Sequence, residues 1–287
     1  MILVASYNMR KAIGTDRRRR PDRTIEVLNE LDADVVALQE ADRRFGARMS
    51  ALPLHMIEEH SDYKPVPFEA RSGSLGWHGN ALLVRKSVEI VHKELVHLPS
   101  LEPRGAVMAE VRVGGVDLRV VGMHLLLSGL WRRRQAHAIL AHLAGRDGDP
   151  HAPTVLMGDL NEWSAHGGCL RDFAHHHRFA ACGRSFHSRR PIAQLDRIMV
   201  SDGLTILGSG AHHSAVARLQ ARAHVALADL VGIDHGVRRE RDHRLGIAGA
   251  KRTGAAERVD QRNVGAGGAE PALDRRHLLS SPASSTA

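Results

Sequence analysis

Asp159 and Asn161 stand two residues apart at the end of the apolar run Val155-Leu156-Met157-Gly158, and they carry the most visible chemistry of this 287-residue chain. A carboxylate there can take a proton from water, while an amide on the same side of an extended backbone can donate to a reacting oxygen. A short apolar stretch closed by a turn reads as a buried strand. Neither side chain suits a central strand, so the pair belongs at a sheet rim, where open α/β folds keep their reactive groups. The plain alternative is an Asx turn that closes a strand and does nothing more. Four further strand-like stretches deliver comparable groups: Asn8, Glu40, His124, and Asp196 within Leu195-Asp196-Arg197-Ile198. Singly, each has an ordinary explanation as a helix cap, a satisfied core histidine or a surface ion pair. Together they supply a hard oxygen ligand for Mg²⁺, a base for water, and an imidazole and amides for phosphate oxygens. These are the parts of a metal-assisted phosphoester hydrolase.

The elements that must position these groups can be read from hydrophobic period. Residues 2–7, 35–38, 79–84, 154–157 and 195–200 read as strands. Val111 and Val113 alternate with Glu110 and Arg112, Gly114-Gly115 turns the chain, and Val116, Leu118 and Val120 alternate with Asp117 and Arg119. That pattern is a hairpin with one wet face, running on to His124. Pro21 opens a helix with Ile25, Leu28 and Leu31 on one face, and Ser128 can cap another that carries Leu130, Ile139, Leu140 and Leu143. Hairpins mixed with strand-helix units predict sheets covered by helices, a layered α/β or α+β sandwich.

Composition narrows the class of partner. The net charge of +8 and pI near 10.3 favour polyanions, because a basic surface attracts phosphates. Much of the excess lies in runs such as Arg17 to Arg20 and Arg132 to Arg134, which ordinarily form solvated faces. Cys169 and Cys182 are too few for a disulfide framework and too isolated for a zinc motif. Neither a signal peptide nor a membrane-length apolar stretch is evident, so a cytoplasmic protein with no obligate protein partner is expected. His175-His176-His177 points in different directions on any regular element and reads as a polar loop. Gly73, Gly76 and Gly79 around Trp77-His78 lack the spacing of a nucleotide loop and read as a flexible loop near the pocket. The basic run from Arg184 to Pro191 suits either phosphate contacts or a solvated loop. Residues 231–287 contain no aromatic residue and few large aliphatics, so they are expected to be disordered. Their composition also resembles out-of-frame translation of GC-rich DNA, a hypothesis that an uninterrupted frame on resequencing would remove.

Six words in order, Ser6-Tyr7-Asn8, Leu38-Gln39-Glu40, Gly79-Asn80-Ala81-Leu82-Leu83, Gly122-Met123-His124-Leu125, Gly158-Asp159-Leu160-Asn161 and Leu195-Asp196-Arg197-Ile198, span a domain of residues 1–230. They resemble the endonuclease/exonuclease/phosphatase superfamily, the deoxyribonuclease I-like enzymes. The resemblance implies a four-layered α/β sandwich of two packed mixed sheets flanked by helices. It implies that Glu40 holds the divalent ion, Mg²⁺ with Mn²⁺ as a substitute, and that Asn8 and Asn80 contact the phosphate. Asp159 would activate the attacking water, Asn161 would contact phosphate and His124 would stabilise charge on phosphoryl oxygens. Asp196 would orient a second histidine from near the domain's end. A histidine at position 124, where AP endonucleases usually carry tyrosine, tilts the likeness toward the nuclease, lipase and phosphatase branches.

The family's closing Ser-Asp-His is altered here. His224 stands close to the expected register but follows Ala223, so the acidic partner is missing. Asp234-His235 and Asp242-His243 restore the dipeptide later, without a following strand; His224 is favoured over His235. The function expected is Mg²⁺-dependent hydrolysis of phosphoesters, phosphodiesters such as nucleic acid first, by in-line attack of activated water. A phospholipid or small-molecule phosphoesterase is the rival within the superfamily. A catalytically impaired module that binds polyanions is the rival outside it.

Overall fold

The computed structural model describes residues 1–43, 49–70, 72–102, 104–146, 152–186, 192–219 and 224–232. In chain order the elements are β1 (Ile2–Asn8), α1 (Pro21–Leu31), β2 (Val35–Gln39), α2 (Leu54–His60), β3 (Tyr63–Pro65), β4 (Ala81–Arg85), β5 (Glu89–Val96), β6 (Ala106–Val113), β7 (Val116–His124) and α3 (Gly129–Ala144). There follow β8 (Thr154–Asp159), α4 (Cys169–Ala174), β9 (Arg178–Phe179), β10 (Asp196–Val200), β11 (Leu204–Ala211), α5 (Ala215–Leu219) and β12 (His224–Gly232). They form two six-stranded mixed sheets, ordered β11-β12-β1-β2-β4-β3 and β5-β6-β7-β8-β10-β9. At the centre of each lies one parallel pair, β1 with β2 and β7 with β8. A helix connects the members of each pair, α1 in the first sheet and α3 in the second.

Strand alternation builds the layers. Val4, Val35, Ala37, Leu82 and Val84 from the first sheet meet Val107, Ala109, Leu118, Val120, Val155, Met157 and Ile198 from the second in a shared core. The opposite face of the first sheet, with Ala5, Tyr7, Val36 and Leu38, packs on Ile25 and Leu28 of α1 and Ile57 of α2. The opposite face of the second, with Met108, Val121, Met123 and Leu156, packs on Ile139 of α3 and Phe173 of α4. Helices, sheet, sheet and helices make the four-layered sandwich.

The hairpin turns at Gly114 and Gly115, whose φ of 56° and 85° give the doubly left-handed turn that matches strand twist. Its outer face is wet only near the tip. Arg112 pairs with Asp117 in the open, while Arg119, ion-paired to Glu110, is buried. Ser128 precedes α3 as expected but makes no side-chain cap bond. The helix's buried stripe is Arg132, Gln135, Ala136 and Ile139, and Leu130 is exposed. Strands β3, β5, β9, β11 and β12 were not legible as elements. All but β12, which lies between β11 and β1, are at a sheet edge, where half-exposed side chains blur the alternation. The tail expected to be disordered lies outside the described residues, except that Val231 and Gly232 close β12. His187, Arg189, Arg190, Asp234, His235, Asp242 and His243 also lie outside them.

Candidate active site

Parity carries the polar side chains to one place. On β8, Val155 and Met157 face the inter-sheet core, so Asp159 does too; Leu118 and Val120 set the same face for His124 on β7, and Ile198 and Val200 set it for Asp196 on β10. Register then aligns them, with His124 opposite Asp159 and Asp159 opposite Asp196. In the first sheet, Val4 sets the face for Asn8, which stands opposite Gln39, the residue before Glu40. Asn8, Glu40, His124 and Asp159 therefore mark the carboxyl ends of the four central parallel strands, the side on which open α/β sheets gather ligands.

The two rows meet across the seam. Asn8 Nδ2 donates to Asp159 Oδ2 at 2.9 Å, and His124 Nε2 lies 3.7 Å from the same oxygen. The other carboxylate oxygen, Oδ1, accepts the backbone N–H of Asn161 at 3.0 Å. That contact is an Asx turn, so the plain structural role of Asp159 and a chemical one coexist. Asn161 has a left-handed φ of 51° and donates its side-chain amide to the Leu125 carbonyl at 2.9 Å, which ties the turn to the end of β7. Asp196 is fully buried and accepts from Ser185 Oγ at 2.8 Å. By backbone register, His224 at the start of β12 stands opposite Asn8.

Two residues have a different setting from the one sequence suggests. Asn80 is fully buried and spends its Nδ2 on the carbonyls of Gly105, at 3.0 Å, and Trp77, at 3.4 Å. Its two donor hydrogens thus close the Trp77–Asn80 turn onto the start of β6, while Oδ1 makes no hydrogen bond among the described residues. Glu40 follows β2 with a left-handed φ of 52°, which takes its side chain out of strand alternation. Its carboxylate pairs with Lys11.

Sequence reading missed the cations. The guanidinium of Arg104 lies against both ring nitrogens of His124. Burial disfavours the charged imidazole and Arg104 repels it, and together they outweigh Asp159 and Glu40, so the His124 pKa falls to about 4. The ring is neutral at pH 7 and can accept from Arg104. Burial opposes ionisation of Glu40, but the field of His124 once its ring protonates, with those of Lys11 and Arg104, prevails and holds its carboxyl below the ordinary range. A further support is Asp42, which accepts from Leu75 N at 3.1 Å, Gly79 N at 3.2 Å and Ser74 Oγ at 2.7 Å, and so fixes the glycine-rich loop. Glu162, buried, receives Arg132 of α3 at 3.0 Å and anchors the segment beyond Asn161. Asp42 and Glu162 each lie within two residues of a predicted site position, whereas nothing in the sequence marks Arg132 as buried.

Close approach at the site rests on Gly158. Its φ is 156°, and a Cβ there would run into the Met123 carbonyl of β7. The donor chemistry suits a divalent ion. Glu40, the Asn8 amide oxygen and Asp159 are hard oxygen donors, and Mg²⁺ asks for only one or two carboxylates with waters completing its shell. Among the described residues no cluster of three or more His, Cys, Asp or Glu side chains forms an all-protein cage. The set suits a partly hydrated divalent ion.

Residues 5–230 match the model of the Endonuclease/Exonuclease/phosphatase family. The chain belongs to that family. Its four-layered sandwich is shared with solved structures at low identity. A mannosyl-6-phosphatase of Bacteroides thetaiotaomicron, Bt3783, superposes with a TM-score of 0.64 at 18% identity, covering 80% of this chain and 100% of that one. The D. rerio TDP2 structure in complex with single-strand DNA product superposes with a TM-score of 0.62 at 16% identity, covering 80% and 98%. In sequence, Uncharacterized protein YbhP of Escherichia coli K12 is 28% identical over 201 residues, 62% of this chain and 75% of that protein. The six words that suggested the superfamily therefore belong to a member of this family, whose name joins nucleases and phosphatases. No helix among the described residues is long and apolar enough to cross a membrane.

Proposed function

We propose that residues 1–230 form a catalytic domain that hydrolyses phosphodiesters with a divalent ion, Mg²⁺ or Mn²⁺, by in-line attack of water. The observation that carries this reading is the convergence of Asn8, Glu40, His124 and Asp159 at four strand ends, with the Asn8–Asp159 hydrogen bond spanning the two sheets. Glu40 would hold the ion, with Asn8 beside it. When bound, a divalent ion would offset charge that develops on the phosphoryl oxygens. Asp159, oriented by Asn8 and by the Asn161 backbone N–H, takes the proton of the attacking water. Neutral His124 and cationic Arg104 present donors to the phosphoryl oxygens from a water-poor wall, where electrostatic stabilisation is strongest. Asn161 adds its second amide hydrogen. Of the two candidate closing histidines, His224 is favoured because its backbone stands opposite Asn8. Asn80 is assigned to support of the loop, since both its donor hydrogens are spent. The basic surface suits a polyanionic substrate such as nucleic acid.

Turnover of bis-p-nitrophenyl phosphate by the purified chain with Mg²⁺ tests the reading. Asp159→Ala should lower the rate by about 10² or more, the worth of a positioned acid-base group. Unchanged turnover in that variant refutes the assignment. Salt-sensitive DNA binding by a wild-type chain without turnover would replace the hydrolase with a binding module.

A further inference from the structure

The turn after β1 is held in a costly shape. Arg10, Lys11 and Ala12 have φ of 46°, 57° and 57°, and Glu40, which they face, has φ of 52°. Left-handed backbone is unfavourable for residues with a Cβ, and such strain persists only where the surroundings over-determine it. Here they do. Met9 N donates to Gln39 O at 3.1 Å, Arg10 N to Asn8 Oδ1 at 3.1 Å, and Lys11 N to Glu40 O at 2.9 Å. Arg19 Nε donates to the Lys11 carbonyl at 3.2 Å from the other side. What this turn delivers is the Lys11 ammonium, placed on the Glu40 carboxylate. Both side chains are only about a quarter exposed, at 24% and 26%, so water screens the pair incompletely.

We propose that Lys11 is a resident counter-cation that competes with the divalent ion for Glu40, so that the ion enters only as the ammonium leaves. The inference rests on the reading of Glu40 as the metal ligand. One carboxylate cannot fully serve an ammonium and a divalent cation at once, since the two cations repel each other at contact distance. The lysine stem is long and flexible enough to withdraw without disturbing the backbone hydrogen bonds of the turn. Lys11 thereby lowers the affinity of the site for metal. It also keeps the carboxylate paired while the ion is away.

Direct Mn²⁺ titration of the full chain, followed by the electron paramagnetic resonance of free Mn²⁺, tests this without any activity readout. Lys11→Met should bind Mn²⁺ about fivefold more tightly than the wild type, the worth of removing one partly exposed ion pair. Lys11→Gln should behave alike and stands in if the Met variant fails to fold by circular dichroism. Lys11→Arg, which keeps the charge, should stay near the wild type. Glu40→Gln should abolish the binding. If Glu40→Gln abolishes binding while the neutral Lys11 variants bind no more tightly than the wild type, the competition is refuted and the metal reading stands. If Glu40→Gln leaves binding untouched, both fall together.

Discussion

Acidification should unfold this protein through its buried histidines before its carboxylates titrate. Burial and Arg104 push His124 to about 4, and burial pushes His177 to about 4 as well, each from 6.5. Between those values the unfolded chain binds a proton at each site that the folded chain refuses, so stability rises with pH across this window. The sign is fixed. The stability is fully present above about pH 6.5, is lost as pH falls, and is gone below about 4. A shift of this size is worth about 3 kcal/mol per histidine, of which about 2 kcal/mol is already lost at pH 5. Two histidines then cost about 4 kcal/mol at pH 5, a large share of the 5–15 kcal/mol typical of a domain. Carboxylates held low, such as Glu40, act in the same direction but only as pH falls through and below the ordinary carboxylate range. Urea unfolding at pH 7.5, 6 and 5 measures the slope, and His177→Gln should remove about half of the loss without touching the site. Equal stability at pH 7.5 and 5, or an undiminished loss in His177→Gln, would refute the reasoning.

Three further outcomes are expected. Gly158→Ala must fit a Cβ against the Met123 carbonyl between β7 and β8, and should cost about 2–3 kcal/mol in urea unfolding. Glu162→Ala strands the buried Arg132 guanidinium and should cost about 3–5 kcal/mol, whereas the double variant Glu162→Leu with Arg132→Met should recover much of that in the same assay. Ala223→Asp restores an acidic neighbour to His224 and should tighten Mn²⁺ binding and raise turnover of the diester; no gain in either would count against the view that the closing motif is damaged.

Much of the frame was legible because its strands obey period. Val155, Met157 and Asp159 alternate toward one face, as do Leu118, Val120 and His124, so a reader of the sequence can place the polar ends without coordinates. The central strands are continuous apolar runs closed by turns, and those ends fall on one side once the pairs are parallel. Edge strands resist such reading. Glu89–Val96 carries Glu, His and Lys between its apolar residues, and only pairing with β6 fixes it as a strand. Lys11, Arg104 and Arg132 were illegible for another reason. Each has a long side chain whose target depends on backbone angles or helix rotation that local sequence does not encode, and three successive left-handed residues at Arg10, Lys11 and Ala12 run against every local propensity. Asn80 shows the converse. Its position in a family word was plain, yet its donors are consumed by backbone carbonyls.

The Asn8–Asp159 bond has an operational meaning. It is a rivet between slabs whose shared core is hydrocarbon, and no single loop owns the groups it aligns. Prying the slabs apart by the width of a water molecule would dissolve the geometry while every strand survived intact. Loss of the proposed diesterase activity on heating should therefore coincide with, or slightly precede, collapse of the bilayered core, with no cool, folded, inactive plateau between them.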